Sequence, residues 1–145
     1  NTELEEAEEI TAQINHFVEK PINRKSKIIY VEDDLVALKY INIILRSAYD
    51  VETAFNASLA LELVQKTKYD ALMLDINLGS GMDGVELLQK IRKIEFYKTI
   101  PIVAVTAYAA HSDKTEFLAK GFSHYISKPF SKKELFSLLK EMLSI

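Results

Sequence analysis

A chain of 145 residues is long enough for one domain with a sizeable core, and 48% apolar with 27% charged residues excludes a disordered polymer. A net charge of −3 offers no basic surface for nucleic acid, and the lack of cysteine excludes a disulfide framework and a thiolate metal site. Apolar runs fall far short of the ~18 residues of a membrane span and no signal peptide is recognised, so a soluble chain in the cytoplasm is expected.

In chain order, residues 2–19 read as an amphipathic helix with Leu4, Ala7, Ile10, Ile14, Phe17 and Val18 at three- and four-residue steps. Thr2 with Glu5 suggests a capping box, and Glu3, Glu5, Glu6, Glu8 and Glu9 suit the positive end of a helix. Pro21 should end it. The polar stretch from Asn23 to Lys27 reads as a linker, which divides the chain into a connector over 1–25 and a globular domain over 26–145. A wet apolar stripe should pack on something, whether the domain itself, a second copy or a neighbouring coiled coil.

From residue 27 the pattern alternates. Residues 28–31 form a short β-branched run (β1), and Leu35, Leu38, Ile41, Ile44 and Leu45 make the stripe of a helix (α1). Residues 51–54 give β2, and Asn56 caps a helix, α2, with stripe Leu59, Ala60, Leu63 and Val64. The apolar run of residues 71–78, interrupted by Asp75, suits a strand buried on both faces, β3. Val85, Leu88, Ile91 and Ile94 mark α3, and residues 101–105 mark β4. Asp113 with Glu116 suggests the cap of α4, which Gly121 ends; residues 124–127 form β5, and Ser131 with Glu134 caps α5, whose core face is Leu135, Leu138, Leu139 and Met142. Strict alternation implies right-handed crossovers and a doubly wound α/β fold with a five-stranded parallel sheet.

Ligands bind such sheets outside the carboxyl ends of the strands. There β1 is followed by Glu32-Asp33-Asp34, β3 ends in Asp75, β4 is followed by Thr106, and β5 by Lys128-Pro129. Each has an ordinary explanation alone: acids cap helices, threonine favours strands, lysine is a solvated charge. Together they are hard to explain that way, because converging carboxylates repel unless a cation joins them, and hard oxygen donors without His or Cys suit Mg2+. The set would accommodate a phosphoryl dianion, with Asp75 as nucleophile, Mg2+ and Lys128 neutralising charge, and Thr106 donating a hydrogen bond.

Residues 27–144 resemble the receiver domain of two-component response regulators and hybrid histidine kinases. The resemblance rests on Val31-Glu32-Asp33-Asp34, Leu74-Asp75-Ile76-Asn77, Met82-Asp83-Gly84, Val105-Thr106-Ala107 and Ser127-Lys128-Pro129-Phe130. It implies a flavodoxin-like strand order 2-1-3-4-5. It also implies Asp75 as phosphoacceptor, Glu32, Asp33, Asp75 and the Asn77 backbone carbonyl as Mg2+ ligands, Lys128 as phosphate partner on a cis Lys128-Pro129 bond, and a switch in which Thr106 and Tyr125 alter the α4-β5-α5 face. Asp34, one place beyond the acidic pair, should start α1. Two departures stand out. The segment Leu78-Gly79-Ser80-Gly81-Met82-Asp83-Gly84 is glycine-rich and one residue longer where many receivers have proline after the residue matching Leu78. Tyr108 holds a position that varies and borders the phosphoryl group, where it could screen water or point to solvent.

By the same resemblance the partner is a histidine kinase or histidine phosphotransfer domain, and the chain is a signalling receiver that promotes its own aspartyl phosphorylation and dephosphorylation. In a hybrid sensor kinase it would face the cytoplasm. Self-association through the N-terminal helix or the α4-β5-α5 face is expected, with no nucleic acid and no membrane insertion. A haloacid-dehalogenase-like phosphatase shares the nucleophilic Asp but needs a second acid where Asn77 stands. A flavodoxin-like electron carrier would have its flavin phosphate repelled by the carboxylates, and a phosphorylation-independent interaction module is a further alternative. His16, five residues before Pro21, echoes a histidine-kinase phosphoacceptor box, but Phe17 replaces the acid expected next; His16 reads as an ordinary helix residue.

Overall fold

The computed structural model describes residues 2–19, 24–79, 81–107 and 111–144. After an N-terminal helix, Thr2–Glu19, come β1 (Lys27–Val31), α1 (Leu35–Leu45), β2 (Asp50–Ala54), α2 (Ala57–Lys66), β3 (Ala71–Asp75) and α3 (Gly84–Arg92). A 3-10 turn (Glu95–Lys98), β4 (Ile102–Thr106), α4 (His111–Lys120), β5 (His124–Ser127) and α5 (Lys132–Leu143) follow. All strand pairs are parallel, in the order β2-β1-β3-β4-β5 expected from the sequence.

Alternate residues of a strand point to opposite faces, and both faces here are covered. Ile29, Val31, Leu72, Leu74, Ile102 and Ala104 pack with α2, α3 and α4. Ile28, Tyr30, Ala71, Met73, Val103 and Val105 pack with α1 and α5. Every residue of β3 and β4 is buried, which is why these strands read as unbroken apolar runs rather than as alternation.

Helix starts follow the side-chain oxygens that accept orphan backbone N–H groups. Asp34 accepts from Val36 N at 3.0 Å, Asn56 from Leu59 N at 2.8 Å and Ser131 from Glu134 N at 3.0 Å, all three as expected. Asp83, not anticipated as a cap, accepts from Glu86 N at 2.8 Å and starts α3. One expectation is corrected: α4 begins at His111, so Asp113 lies in its first turn and is not its cap. An acid is favoured by the helix dipole in that turn as well as at the cap, so composition alone does not separate the two. Gly121, at φ +115°, ends α4 as expected, and the Lys128-Pro129 bond is cis.

Thr2 is itself the first helical residue of the N-terminal helix, so it does not act as the expected cap. Leu4 and Ile10 are 60% and 57% exposed, uncovered by any described element, so of the three packings expected for the stripe the one on the domain is not made by these two residues. Of Ile14, His16, Phe17 and Val18 only the backbone is described, and Pro21 lies outside the described residues.

The edge of the sheet away from the strand carboxyl ends is tied by Arg92. Its guanidinium, half-buried, donates to the carbonyls of Tyr97 at 2.8 Å, Ile100 at 2.6 Å and Gly121 at 2.8 Å, joining α3 to the turn before β4 and to the end of α4. Replacing Arg92 by Met keeps the aliphatic stem and strips these carbonyls of their donor. Hydrogen bonds to charged groups contribute about 1.5–3 kcal/mol, so Arg92→Met should lose about 2–3 kcal/mol of stability, read as a lower urea midpoint at unchanged slope.

Candidate functional site

The strand register builds the site. Val31 lies beside Leu74, Asp75 beside Val105, and Thr106 beside Ser127, so the residues that follow four adjacent strands arrive at one edge. Parity then divides them. Asp75 continues the series Ala71, Met73, and Glu32 continues Ile28, Tyr30, so both belong to the face covered by α1 and α5. Lys128 follows Ile126 on that same face and meets both acids, its Nζ donating to Glu32 Oε1 at 2.7 Å and to Asp75 Oδ2 at 2.8 Å. Thr106 follows Ile102 and Ala104 on the opposite face, where the half-buried Tyr125 also packs.

Asp75 is buried and held at both oxygens, since Asn77 N donates to Oδ1 at 2.8 Å while Lys128 holds Oδ2. Glu32 is only 2% exposed, and its Oε2 has no hydrogen-bond partner among the described residues. Burial first, and then the Asp75 carboxylate, push the Glu32 carboxyl up to about 8, against the pull of Lys128. The Lys128 ammonium is lowered by burial but raised more by its bonds to Asp75 and Glu32, so it is held charged. Tyr30, beneath the acids, is pushed up by burial and by Glu32, Asp75 and Asp34.

Glu32, Asp33 and Asp75 each bring one oxygen within 4.8 Å of the others. A buried carboxylate oxygen without a donor, beside two further carboxylates, is a donor set for a hard cation that takes oxygen ligands. Asp33 is exposed. Asp34 stands apart from this group as the cap of α1. Thr106 is 4% exposed, and its carbonyl accepts from Lys128 N at 2.7 Å, fixing the backbone from which the lysine reaches back. The Asn77 side chain is exposed, and Tyr108 lies outside the described residues.

Three glycines matter that the sequence reading left without a role. A Cβ on Gly84 would run into the backbone carbonyl of Asp75, so α3 starts directly against the strand end that carries the carboxylate. Gly84 N also donates to Ile76 O at 3.2 Å. The Asp-Gly pair at the start of the α3 stripe signals the Asp83 cap, whereas the need for glycine at 84 comes from a strand end that no neighbouring residue marks. Gly79 and Gly81 take φ of +46° and +94° in the loop between β3 and α3. Proline, locked near −65°, could not take the Gly79 conformation.

Comparisons with known proteins agree with this geometry. Residues 28–140 match the response regulator receiver domain family. A probable transcriptional regulator, ycf29, of Porphyra purpurea is 35% identical over 117 residues, which cover 80% of this chain and 56% of that protein. Hybrid signal transduction histidine kinase D of Dictyostelium discoideum is 28% identical over 95% of this chain and 9% of its own length. The chain thus spans about half, or far less, of these relatives. Among solved structures, chemotaxis protein CheY4 of Vibrio cholerae superposes with a TM-score of 0.78 at 30% identity, covering 83% of this chain and 100% of that one. The receiver domain of sensor histidine kinase PA1611 from Pseudomonas aeruginosa, which has a magnesium ion coordinated in its active site cleft, gives 0.76 at 31% identity over 84% and 100%.

Gly84→Ala should destabilise the fold by about 1–3 kcal/mol, the cost of forcing a methyl into closed packing. A thermal or urea transition unchanged from the parent would show that the strand end and α3 separate freely.

Proposed function

The chain belongs to the response regulator receiver domain family, and on that premise we propose that it accepts a phosphoryl group on Asp75 from a phosphohistidine. The observation that carries the reading is the buried Asp75 at the end of the central strand, with Lys128 Nζ 2.8 Å from one oxygen and two further acids beside it. An Asp75 oxygen attacks phosphorus as the bond to the imidazole nitrogen breaks, and the imidazole departs with the electron pair and takes up a proton. Lys128 offsets charge on the transferring group, and the Thr106 hydroxyl donates to it.

Glu32, Asp33, Asp75 and the Asn77 carbonyl are the proposed Mg2+ ligands, and the unpartnered Glu32 Oε2 supports that assignment. When bound, the ion supplies positive charge against the phosphoryl oxygens. Thr106 and Tyr125, on the face of the sheet opposite Asp75, are the proposed switch pair that carries modification to the α4-β5-α5 surface.

The chain is a signalling receiver and not an enzyme of the ordinary kind; hydrolysis of its own acyl phosphate is part of the proposal. Receivers pair with histidine kinases or phosphotransfer proteins, and one of these is the proposed donor. No described helix is long and apolar enough to cross a membrane, and a cytoplasmic location is proposed. A phosphatase of the haloacid dehalogenase type is disfavoured, because Asn77 cannot serve as the second acid. Residues 1–25 are proposed as a connector to the domain over 26–145, with the exposed Leu4 and Ile10 as contacts to a second copy.

Incubation with acetyl phosphate and Mg2+ should add one phosphoryl group by intact mass. Asp75→Asn should remain folded and take none, and excess chelator should stop labelling of the parent; a labelled Asn variant would remove Asp75 from its role. Deleting residues 1–22 should lower the mass measured by light scattering at high concentration, and two monomers would end the self-association reading.

A further inference from the structure

We propose that Gly79 is a positioning residue for the cation site: its missing side chain lets the β3–α3 loop close against Asp33 and fix where that carboxylate stands. The inference rests on the reading of Glu32, Asp33 and Asp75 as the ligands. The three acids differ in what restrains them. Glu32 and Asp75 are buried and bonded to Lys128, and Asp75 also accepts from Asn77 N. Asp33 is exposed, and no hydrogen bond or ion pair holds its carboxylate among the described residues. The Asp33 carboxylate instead faces the space where a side chain at position 79 would stand. A Cβ built on Gly79 would stand 2.7 Å from Asp33 Oδ2 and 3.8 Å from its Cγ, closer than a real methyl approaches an oxygen.

Any side chain at position 79 must therefore push the Asp33 carboxylate, the loop or both. Mg2+ demands near-ideal ligand placement at about 2.0–2.1 Å, so a displaced ligand costs affinity more sharply than it would for a larger, more tolerant ion. Partners that orient ligands from outside the coordination sphere typically contribute 10–100-fold in metal affinity. Gly81 provides the internal comparison. It too has a positive φ, +94°, but a Cβ there would meet nothing within 4 Å. Alanine at 81 imposes backbone strain in the same loop without touching Asp33.

The test measures Mn2+ binding by the loss of the free-ion paramagnetic resonance signal, with Mg2+ as competitor, on the full chain. Gly79→Ala should bind ~10-fold or more weakly, Gly81→Ala should stay within about two-fold of the parent, and both should keep the amide spectrum of the sheet. In an Asp33→Ala background the Gly79→Ala change should cost nothing further, because the carboxylate it displaces is gone. Equal losses at 79 and 81, no loss at 79, or a loss at 79 that persists without Asp33 would each overturn the inference while leaving the ligand assignment standing. A parent protein that binds no Mn2+ would overturn the ligand assignment and this inference with it.

Discussion

The structure depends on the repulsion among the carboxylates gathered at one edge of the sheet. At an effective dielectric near 20, two unit charges about 4 Å apart interact by about 4 kcal/mol. Glu32, Asp33 and Asp75 are close enough for that cost to bear on the fold. Lys128 offsets part of it by bonding two of the three, and burial, with the Asp75 carboxylate beside it, pushes the Glu32 carboxyl up to about 8. Such an arrangement stores unfavourable energy in a rigid frame, and binding positive charge or losing negative charge releases it. A site of this kind responds to chemistry because the resting state is not the electrostatic optimum.

Much of the frame was legible because its causes are local. The β3 and β4 runs announce burial on both faces, and Asp34, Asn56 and Ser131 announce helix starts through oxygens that reach only two or three residues along. The carboxyl-edge residues were legible for a different reason: once the alternation of strands and helices is accepted, position after a strand becomes position in space. What escaped notice has no local signature. Arg92 bonds backbone carbonyls, which every residue has, so nothing in the partners marks them. Gly84 is required by the carbonyl of a residue nine places earlier, a contact that exists only after the loop has turned back. The start of α4 was misread because an acid is as welcome inside the first turn as at its cap.

The sheet also separates the two sets of residues to which the proposed function gives different work. Asp75, Glu32 and Lys128 lie on the side of α1 and α5, whereas Thr106 and Tyr125 lie on the side of α2, α3 and α4. The two sets are nonetheless adjacent, since Thr106 O accepts from Lys128 N. The proposed chemistry on one face would thus lie a single hydrogen bond from packing on the other, and β3 and β4, buried throughout, leave little room to absorb a shift without passing it on.

This division has a consequence for how such a chain can change in length. A residue inserted within β3 ahead of Asp75 would turn the carboxylate to the wrong face, because side chains alternate with a period of two. The same insertion between Leu78 and Gly84, in the loop where two glycines take positive φ, leaves every parity intact. Insertions in that loop therefore keep each strand residue on its face, while an odd-numbered insertion or deletion inside a strand does not, even when every chemical group is retained.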